Sequence, residues 1–151
     1  MTNKTILRLY ISIFGDDFDI DTLSQITRLT PTDSWQRGEQ RRIIRPETCW
    51  EYDFGGYRQS RDLGEFTDKF KALFSPNADA IANFIQENNL ESKLMIVAYM
   101  NKDDMPALYL DKETIRLLGR FNGWIDIDGY PYTLSFLSPH SSLINKPNQP
   151  T

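Results

Sequence analysis

The side chains that could do chemistry in this chain are few. Its 151 residues include one histidine, His140, and one cysteine, Cys49. A nucleophile with its base, or a Cys/His cage for a metal, needs more of these groups than the chain supplies. We therefore predict no catalytic residue, no cofactor and no metal ion. The carboxylates and arginines remain as the candidate functional groups.

The aspartates that follow residue 15 have the spacing of a calcium loop. Asp17, Asp19 and Asp21 alternate as they do at the opening of an EF-hand. However, Thr22 stands where that loop needs a glycine, and Arg28 stands where it needs a bidentate glutamate. An acidic cap at the start of a helix is the better interpretation, because carboxylates stabilise helix N-termini.

Three pairs of aspartates are the candidate residues for binding a partner. A catalytic pair would need one carboxyl kept neutral by an apolar pocket, or a bound metal, and the sequence indicates neither. Carboxylates gathered at one end or edge of a sheet would instead attract a basic protein surface and speed its docking. The six candidates are Asp16, Asp17, Asp103, Asp104, Asp126 and Asp128.

An arginine-rich loop is the secondary candidate surface. Arginines beside a tryptophan can bind phosphates or stack on bases. Glu39 and Glu47 interrupt this run, and the chain has a net charge of -4, so nucleic acid is not the predicted partner. The secondary candidates are Trp35, Arg37, Arg41 and Arg42, followed by Arg45.

The elements that position these residues follow from the spacing of apolar side chains. Alternating apolar and polar residues predict strands at 5–14, 50–54, 94–100, 107–110 and 124–130. Steps of three and four residues predict helices after Asp19, at 63–73, at 76–88 and after Asp111. The polar stretch 36–47 is predicted to be a loop.

The order of these elements predicts an α+β fold of the ferredoxin-like sandwich type. Helices should pack on one face of a largely antiparallel sheet. In the last strand, Ile125 and Ile127 should point inward and the two aspartates outward. Residues 1–137 are predicted to form a single domain, and residues 138–151, rich in serine, proline and asparagine, a flexible tail.

Composition bears on where the protein works. Hydrophobic residues make up 40% of the chain, which suits a globular protein. No segment approaches the roughly 18 uninterrupted apolar residues of a membrane span, and no apolar signal region follows Met1. A single cysteine fits a reducing compartment. We expect a cytoplasmic protein that makes no membrane contact.

The residues after the first strand carry a distinctive pattern. Gly15-Asp16-Asp17-Phe18-Asp19 is followed by a short helix, then Leu29-Thr30-Pro31-Thr32, then Trp35 and Gly38. With the strand at Trp50 and the leucine-rich helix at 63–73, this pattern resembles the bacterial family named domain of unknown function 4279, over roughly residues 6–130. The resemblance implies a fold and a bacterial origin, but no reaction.

Two main hypotheses for the function follow. The first is a non-enzymatic protein-binding domain of bacterial origin, acting as an immunity protein that neutralises a basic toxin domain by surface complementarity, as some small bacterial families do. The alternative is a small-molecule-binding or enzymatic domain, with a pocket between sheet and helices lined by Tyr10, Tyr99 and Trp50. A homo-oligomer joined through sheet edges is a third interpretation.

Overall fold

The computed structural model describes residues 4–132. The predicted tail, His140 and the predicted domain end at residue 137 lie outside the described residues. The strands are β1 (Ile6–Gly15), β2 (Asp33–Trp35), β3 (Thr48–Asp53), β4 (Arg58–Gln59), β5 (Glu91–Met100) and β6 (Gly123–Pro131). The helices are α1 (Ile20–Thr27), α2 (Gly64–Phe74), α3 (Ala78–Glu87) and α4 (Lys112–Arg120).

β1 runs through the middle of the sheet, and its side chains alternate between the two faces of the sheet. Its odd-numbered apolar residues, from Leu7 to Ile13, are fully buried against the helices. Its even-numbered residues, from Arg8 to Phe14, point to the other side, because successive side chains of a strand alternate. The helices of residues 4–132 all pack on the first side. We call the second side the open face.

The sheet is mixed and mostly antiparallel. Its strand order is β2-β3-β1-β5-β6, and β4 pairs with β1 beside the end of β3. β1 runs antiparallel to β3, β4 and β5, whereas β6 runs parallel to β5 because α4 carries the chain back across the sheet. The α+β class, with helices on one face of a largely antiparallel sheet, is confirmed.

The core between the sheet and the helices is built around aromatic rings. Phe74, at the end of α2, is fully buried. Its ring centroid lies 6.2 Å from that of Trp50, 5.4 Å from that of Phe70 and 6.2 Å from that of Phe121. Phe74 therefore connects α2 to β3 and to the end of α4.

The helix starts that the sequence predicts are mostly present. The Asp19 carboxylate accepts hydrogen bonds from the backbone N–H groups of Asp21 and Thr22, so the aspartate run does cap α1. Asp111 caps α4 by accepting from the N–H and the hydroxyl of Thr114. No helix among residues 4–132 is long and apolar enough to cross a membrane.

The structure departs from the strand predictions in three details. The predicted strand at 107–110 is only an isolated bridge between Ala107 and Asp62. The short strand β2 was not predicted, because its residues pair with β3 without forming a periodic apolar face. Ile127 points to the helix side as predicted, because it pairs with Ile96, but it is exposed rather than buried on the edge strand β6.

Candidate functional site

The four aspartates of the two turns do not lie together. Asp16 and Asp17 follow the end of β1, where Phe14 pairs with Glu91. Asp103 and Asp104 follow the end of β5, where Tyr99 pairs with Ile6. Because β1 and β5 are antiparallel, these turns lie at opposite ends of the sheet, roughly 25 Å apart along the strands. The expectation of one shared carboxylate cluster is wrong.

Asp104 has a structural role at its end of the sheet. Its carboxylate accepts from the backbone N–H of Thr5 at 2.8 Å, and it lies 3.3 Å from the Arg61 guanidinium. The turn therefore fastens the start of β1 to the end of β5. Asp103 beside it is exposed.

Asp126 and Asp128 are the candidate carboxylates that the structure places side by side on one surface. Both point from β6 to the open face, because Asp126 pairs with Met95 and Asp128 with Val97, which lie on that face. Asp126 lies 4.0 Å from the Lys93 amine. Asp128 has no cationic partner within 4.0 Å among residues 4–132.

β6 is a long edge strand with an apolar and acidic surface. Its nine residues pair only with β5 within the part of the chain that the structure describes. Trp124, Ile127 and Tyr130 are 44%, 47% and 39% exposed. Trp124 and Tyr130 share the open face with the two aspartates, whereas Ile127 lies between the aspartates on the helix side. Phe14 packs edge-on against Trp124, and Tyr99 stacks on Tyr130, so both exposed rings are held in place.

The centre of the open face holds a buried ion pair under aromatic rings. The Arg8 Nε lies 2.6 Å from the Asp53 carboxylate, and both side chains are 12% exposed. The Arg8 guanidinium also lies 4.6 Å from the centroid of Tyr10 and 5.1 Å from that of Tyr57. Burial lowers the pKa of Arg8, but the charge and hydrogen bond of Asp53, together with the contribution of Tyr57, outweigh it and the pKa is raised.

Glu51 is the most unusual carboxylate of this face, because it is only 7% exposed. Its Oε2 accepts a hydrogen bond from the Ser12 hydroxyl at 3.1 Å. Burial raises the pKa of Glu51; the Ser12 hydrogen bond and the Arg8 charge oppose the shift, and Asp33 and Asp53 add to it. A buried carboxyl of raised pKa can transfer protons, so Glu51 is the group of this face best suited to acid–base chemistry.

The shift at Glu51 predicts a pH-dependent stability. Since its folded pKa exceeds its unfolded one, the stability linked to this proton is present below the ordinary glutamate pKa and lost as the pH rises through the folded pKa. Glu51→Gln should therefore gain stability relative to the natural chain as the pH rises from about 4 towards neutrality. Urea unfolding at a series of pH values measures this gain. A difference that stays constant with pH would contradict the prediction.

The pocket predicted between sheet and helices does not form from the three residues named for it. Trp50 is fully buried on the helix side, where its Nε1 donates to the Ser24 hydroxyl. Tyr10 and Tyr99 lie on the open face. The sheet itself separates them, so the expected lining is wrong.

The arginine-rich loop neutralises part of its own charge. The Arg41 guanidinium binds the Asp33 carboxylate at 3.0 Å and lies 5.3 Å from the Trp35 ring centroid. Arg45 lies over the same ring at 4.2 Å. The arginines thus clamp Trp35 at the β2 edge, far across the sheet from β6. Arg37 and Arg42 remain exposed there.

Metal and thiol chemistry find little support among residues 4–132. No group of three His, Cys, Asp or Glu side chains in this range could hold a metal ion. Cys49 is buried, and burial raises the pKa of its thiol, as do nearby acidic groups, chiefly Glu51. A protonated thiol is a poor nucleophile.

Arg8, Glu51 and Asp53 were missed by the sequence reasoning as functional candidates. A signal was present, because a charged residue inside a strand pattern must point away from the core. What the sequence lacked was the strand order, which brings Arg8 of β1 beside Asp53 of β3.

Comparison with known proteins returns one finding. A family model described as Domain of unknown function (DUF4279) matches residues 4–132. No curated protein and no solved structure matches the chain. The matched range coincides with the residues that form the sheet and its helices.

Proposed function

We propose a function for this chain, which belongs to the DUF4279 family, from the surface of β6. The surface has to supply the argument because the family name assigns no activity. The proposal is that the chain is a protein-binding domain that recognises a basic partner through β6. The observation that carries it is the combination on one edge strand of three exposed large apolar side chains with two carboxylates.

An open edge of this kind supports protein binding on physical grounds. Natural proteins usually shorten, twist or cover their edge strands, since unpaired N–H and C=O groups invite association. β6 has nine residues and presents Trp124, Ile127 and Tyr130 to solvent. Aromatic side chains held by neighbours suit the anchors of an interface, because little conformational entropy is lost when they are covered.

The charge of this surface supports a basic partner. Asp126 and Asp128 lie two residues apart on the same face, and Lys93 offsets only the first of them. The whole chain carries a net charge of -4, so its long-range field attracts cationic surfaces. Such attraction raises association rates and fixes the orientation of docking.

The finer proposal is an immunity protein that acts in the bacterial cytoplasm. A toxin that binds nucleic acid has a basic active surface, and paired carboxylates on a rigid edge can occupy such a surface. The family resemblance supports the bacterial origin, and the single cysteine, which can form no disulfide within the chain, supports the cytoplasmic site of action.

Growth rescue tests this function. The product of the gene next to this one would be expressed in a laboratory bacterium with and without the chain. We expect the neighbour alone to stop growth and the natural chain to restore it. Asp126→Lys with Asp128→Lys should abolish the rescue and slow association of the purified pair by about 10-fold or more, because charge reversal turns attraction into repulsion.

The matched control carries the same charge change elsewhere. Asp68→Lys with Glu87→Lys alters two exposed carboxylates on the helix layer, on the other side of the sheet. This control should rescue growth as the natural chain does. Equal rescue by the Asp126/Asp128 variant would show that β6 does not recognise the partner.

Glu51 supports a second candidate function, acid–base chemistry on a small molecule at the open face. The supporting observation is its burial and raised pKa beside Ser12 and the Arg8–Asp53 pair. Any turnover by this site should disappear in Glu51→Gln while the fold remains intact. Turnover that survives this change would exclude the site.

A further inference from the structure

We infer that β6 binds its partner by strand addition, and that the added strand carries two basic side chains two residues apart with an apolar one between them. This inference rests on the proposed function, because it specifies how the same surface is used. It follows from three features of β6: where its backbone groups point, how its side chains alternate, and why a second copy fits poorly.

The backbone of β6 presents hydrogen-bonding groups at its outer side, where no strand from residues 4–132 pairs with it, and we call this side the free edge. The Asn122 carbonyl accepts from the Ser92 N–H at 3.3 Å, and the Tyr132 N–H donates to the Met100 carbonyl at 2.9 Å. In a parallel pair, alternate residues turn both backbone groups towards the neighbour. The even-numbered residues therefore face β5, and the N–H groups of the odd-numbered residues point to the free edge.

The position of proline agrees with this assignment. Pro131 is odd-numbered and so lies where an N–H would point outward. Proline in a sheet is confined to places where no ladder bond is needed. Ile125, Ile127 and Gly129 supply the outward N–H groups before it, which is enough for a short added strand.

The side chains of β6 specify what an added strand must carry. Directly opposed residues on the same face of neighbouring strands interact most strongly. A lysine or arginine opposite Asp126 and another opposite Asp128 would form two charge pairs on the open face. The residue between them would point to the helix side and cover Ile127, while apolar residues further along would cover Trp124 and Tyr130.

A second copy of the chain is a poor occupant of this edge. Antiparallel pairing of two β6 strands over their full length places Ile127 opposite itself. Asp126 of each strand then lies opposite Asp128 of the other, so two like-charged pairs face each other across the join. Like charges directly opposed are destabilising. Charge complementarity therefore favours a basic strand of a different protein.

A designed peptide provides the test. The probe is Val-Thr-Lys-Ile-Lys-Thr-Val, whose symmetric sequence suits a parallel or an antiparallel approach. The control peptide, Val-Lys-Thr-Ile-Thr-Lys-Val, has the same composition and charge but puts its lysines on the face of Ile127. We expect the probe to bind at least about 5-fold more tightly than the control, because only the probe pairs both aspartates.

Amide hydrogen exchange reports the mode of binding. The N–H groups of Ile125, Ile127 and Gly129 should exchange several-fold more slowly when the probe is bound, whereas those of Asp126 and Asp128, which already bond to β5, should change little. Ile127→Pro removes one outward N–H and should lose probe binding, and Ile127→Thr should keep it. If the proline variant does not fold, the exchange measurement on the natural chain decides.

The outcomes separate this inference from the function it rests on. Rescue that depends on Asp126 and Asp128, without slower exchange at the three outward N–H groups, overturns strand addition but leaves the basic partner in place. Equal affinity for the two peptides also overturns it. Slower exchange in concentrated protein without peptide would show a second copy at this edge and would overturn the proposed occupant.

Discussion

Replacing Phe74 by alanine should lower the free energy of unfolding by about 4 kcal/mol, the middle of the range for a buried aromatic residue. Phe74 is fully buried and packs against three rings from two other parts of the chain, namely Trp50 and Tyr52 of β3 and Phe121 after α4. Alanine would leave a cavity where these rings meet, and rigid rings from separate elements collapse poorly into a void.

Urea unfolding measures this loss, provided that the unfolding free energies of the natural chain and the variant fall with urea concentration at the same slope. Phe74→Leu is the matched control, because leucine fills most of the volume and should lose much less stability than alanine. The free energy of unfolding of a domain of this size is about 5–15 kcal/mol, so the alanine variant should remain folded but unfold at a clearly lower urea concentration. A loss below about 1 kcal/mol would show that this ring cluster does not anchor the helix layer.

Sequence patterns predicted the buried side of the sheet well, because burial imposes a strict period. The alternation from Leu7 to Ile13 and the caps at Asp19 and Asp111 are all present in the structure. A half-buried strand can place its apolar side chains in the core only in one register, so its sequence pattern is unambiguous. The residues at 107–110 have the same local pattern but lack a neighbouring strand to pair with beyond one bridge.

The candidate site could be predicted only in part, because it depends on strand order. Asp126 and Asp128 were recognised from their alternation with isoleucines, and the structure does place them on the open face. Their position on an edge strand was not predictable, since nothing local to β6 shows that β5 is its one partner strand among residues 4–132. The same lack explains why Asp16 and Asp103 were expected together although antiparallel pairing separates them.

The two faces of the sheet differ in what holds them together. The helix side is a continuous apolar core that holds the elements together. Within residues 4–132 the open face has a small buried apolar cluster of Tyr10, Met95 and Val97, and the pairs Arg8–Asp53 and Lys93–Asp126 join charged residues across its strands. Changes at β6 should therefore alter binding while leaving the stability of the core nearly unchanged.

The Arg8–Asp53 pair is the exception, because it lies on the open face and is also buried. We expect Arg8→Met to cost about 3–5 kcal/mol of stability, since it leaves the Asp53 carboxylate without the cation at 2.6 Å from it. The variant also loses the stacking of the guanidinium between Tyr10 and Tyr57. Asp53→Asn should be destabilising for the converse reason, although its side-chain oxygen can still accept from the Gly56 N–H.

A double-mutant cycle decides whether the pair or the separate side chains carry this stability. If the loss in Arg8→Met comes from an uncompensated charge, adding Asp53→Asn should return part of it, and the coupling energy should reach about 2 kcal/mol. Additive losses would mean that packing of the Arg8 stem is the main contribution.

The same variants should also be tested for binding of the probe peptide. Arg8 pairs with Val97 and Val97 with Asp128. If the charge pair holds this row in place, breaking the pair should weaken peptide binding, and removing both charges should restore that binding.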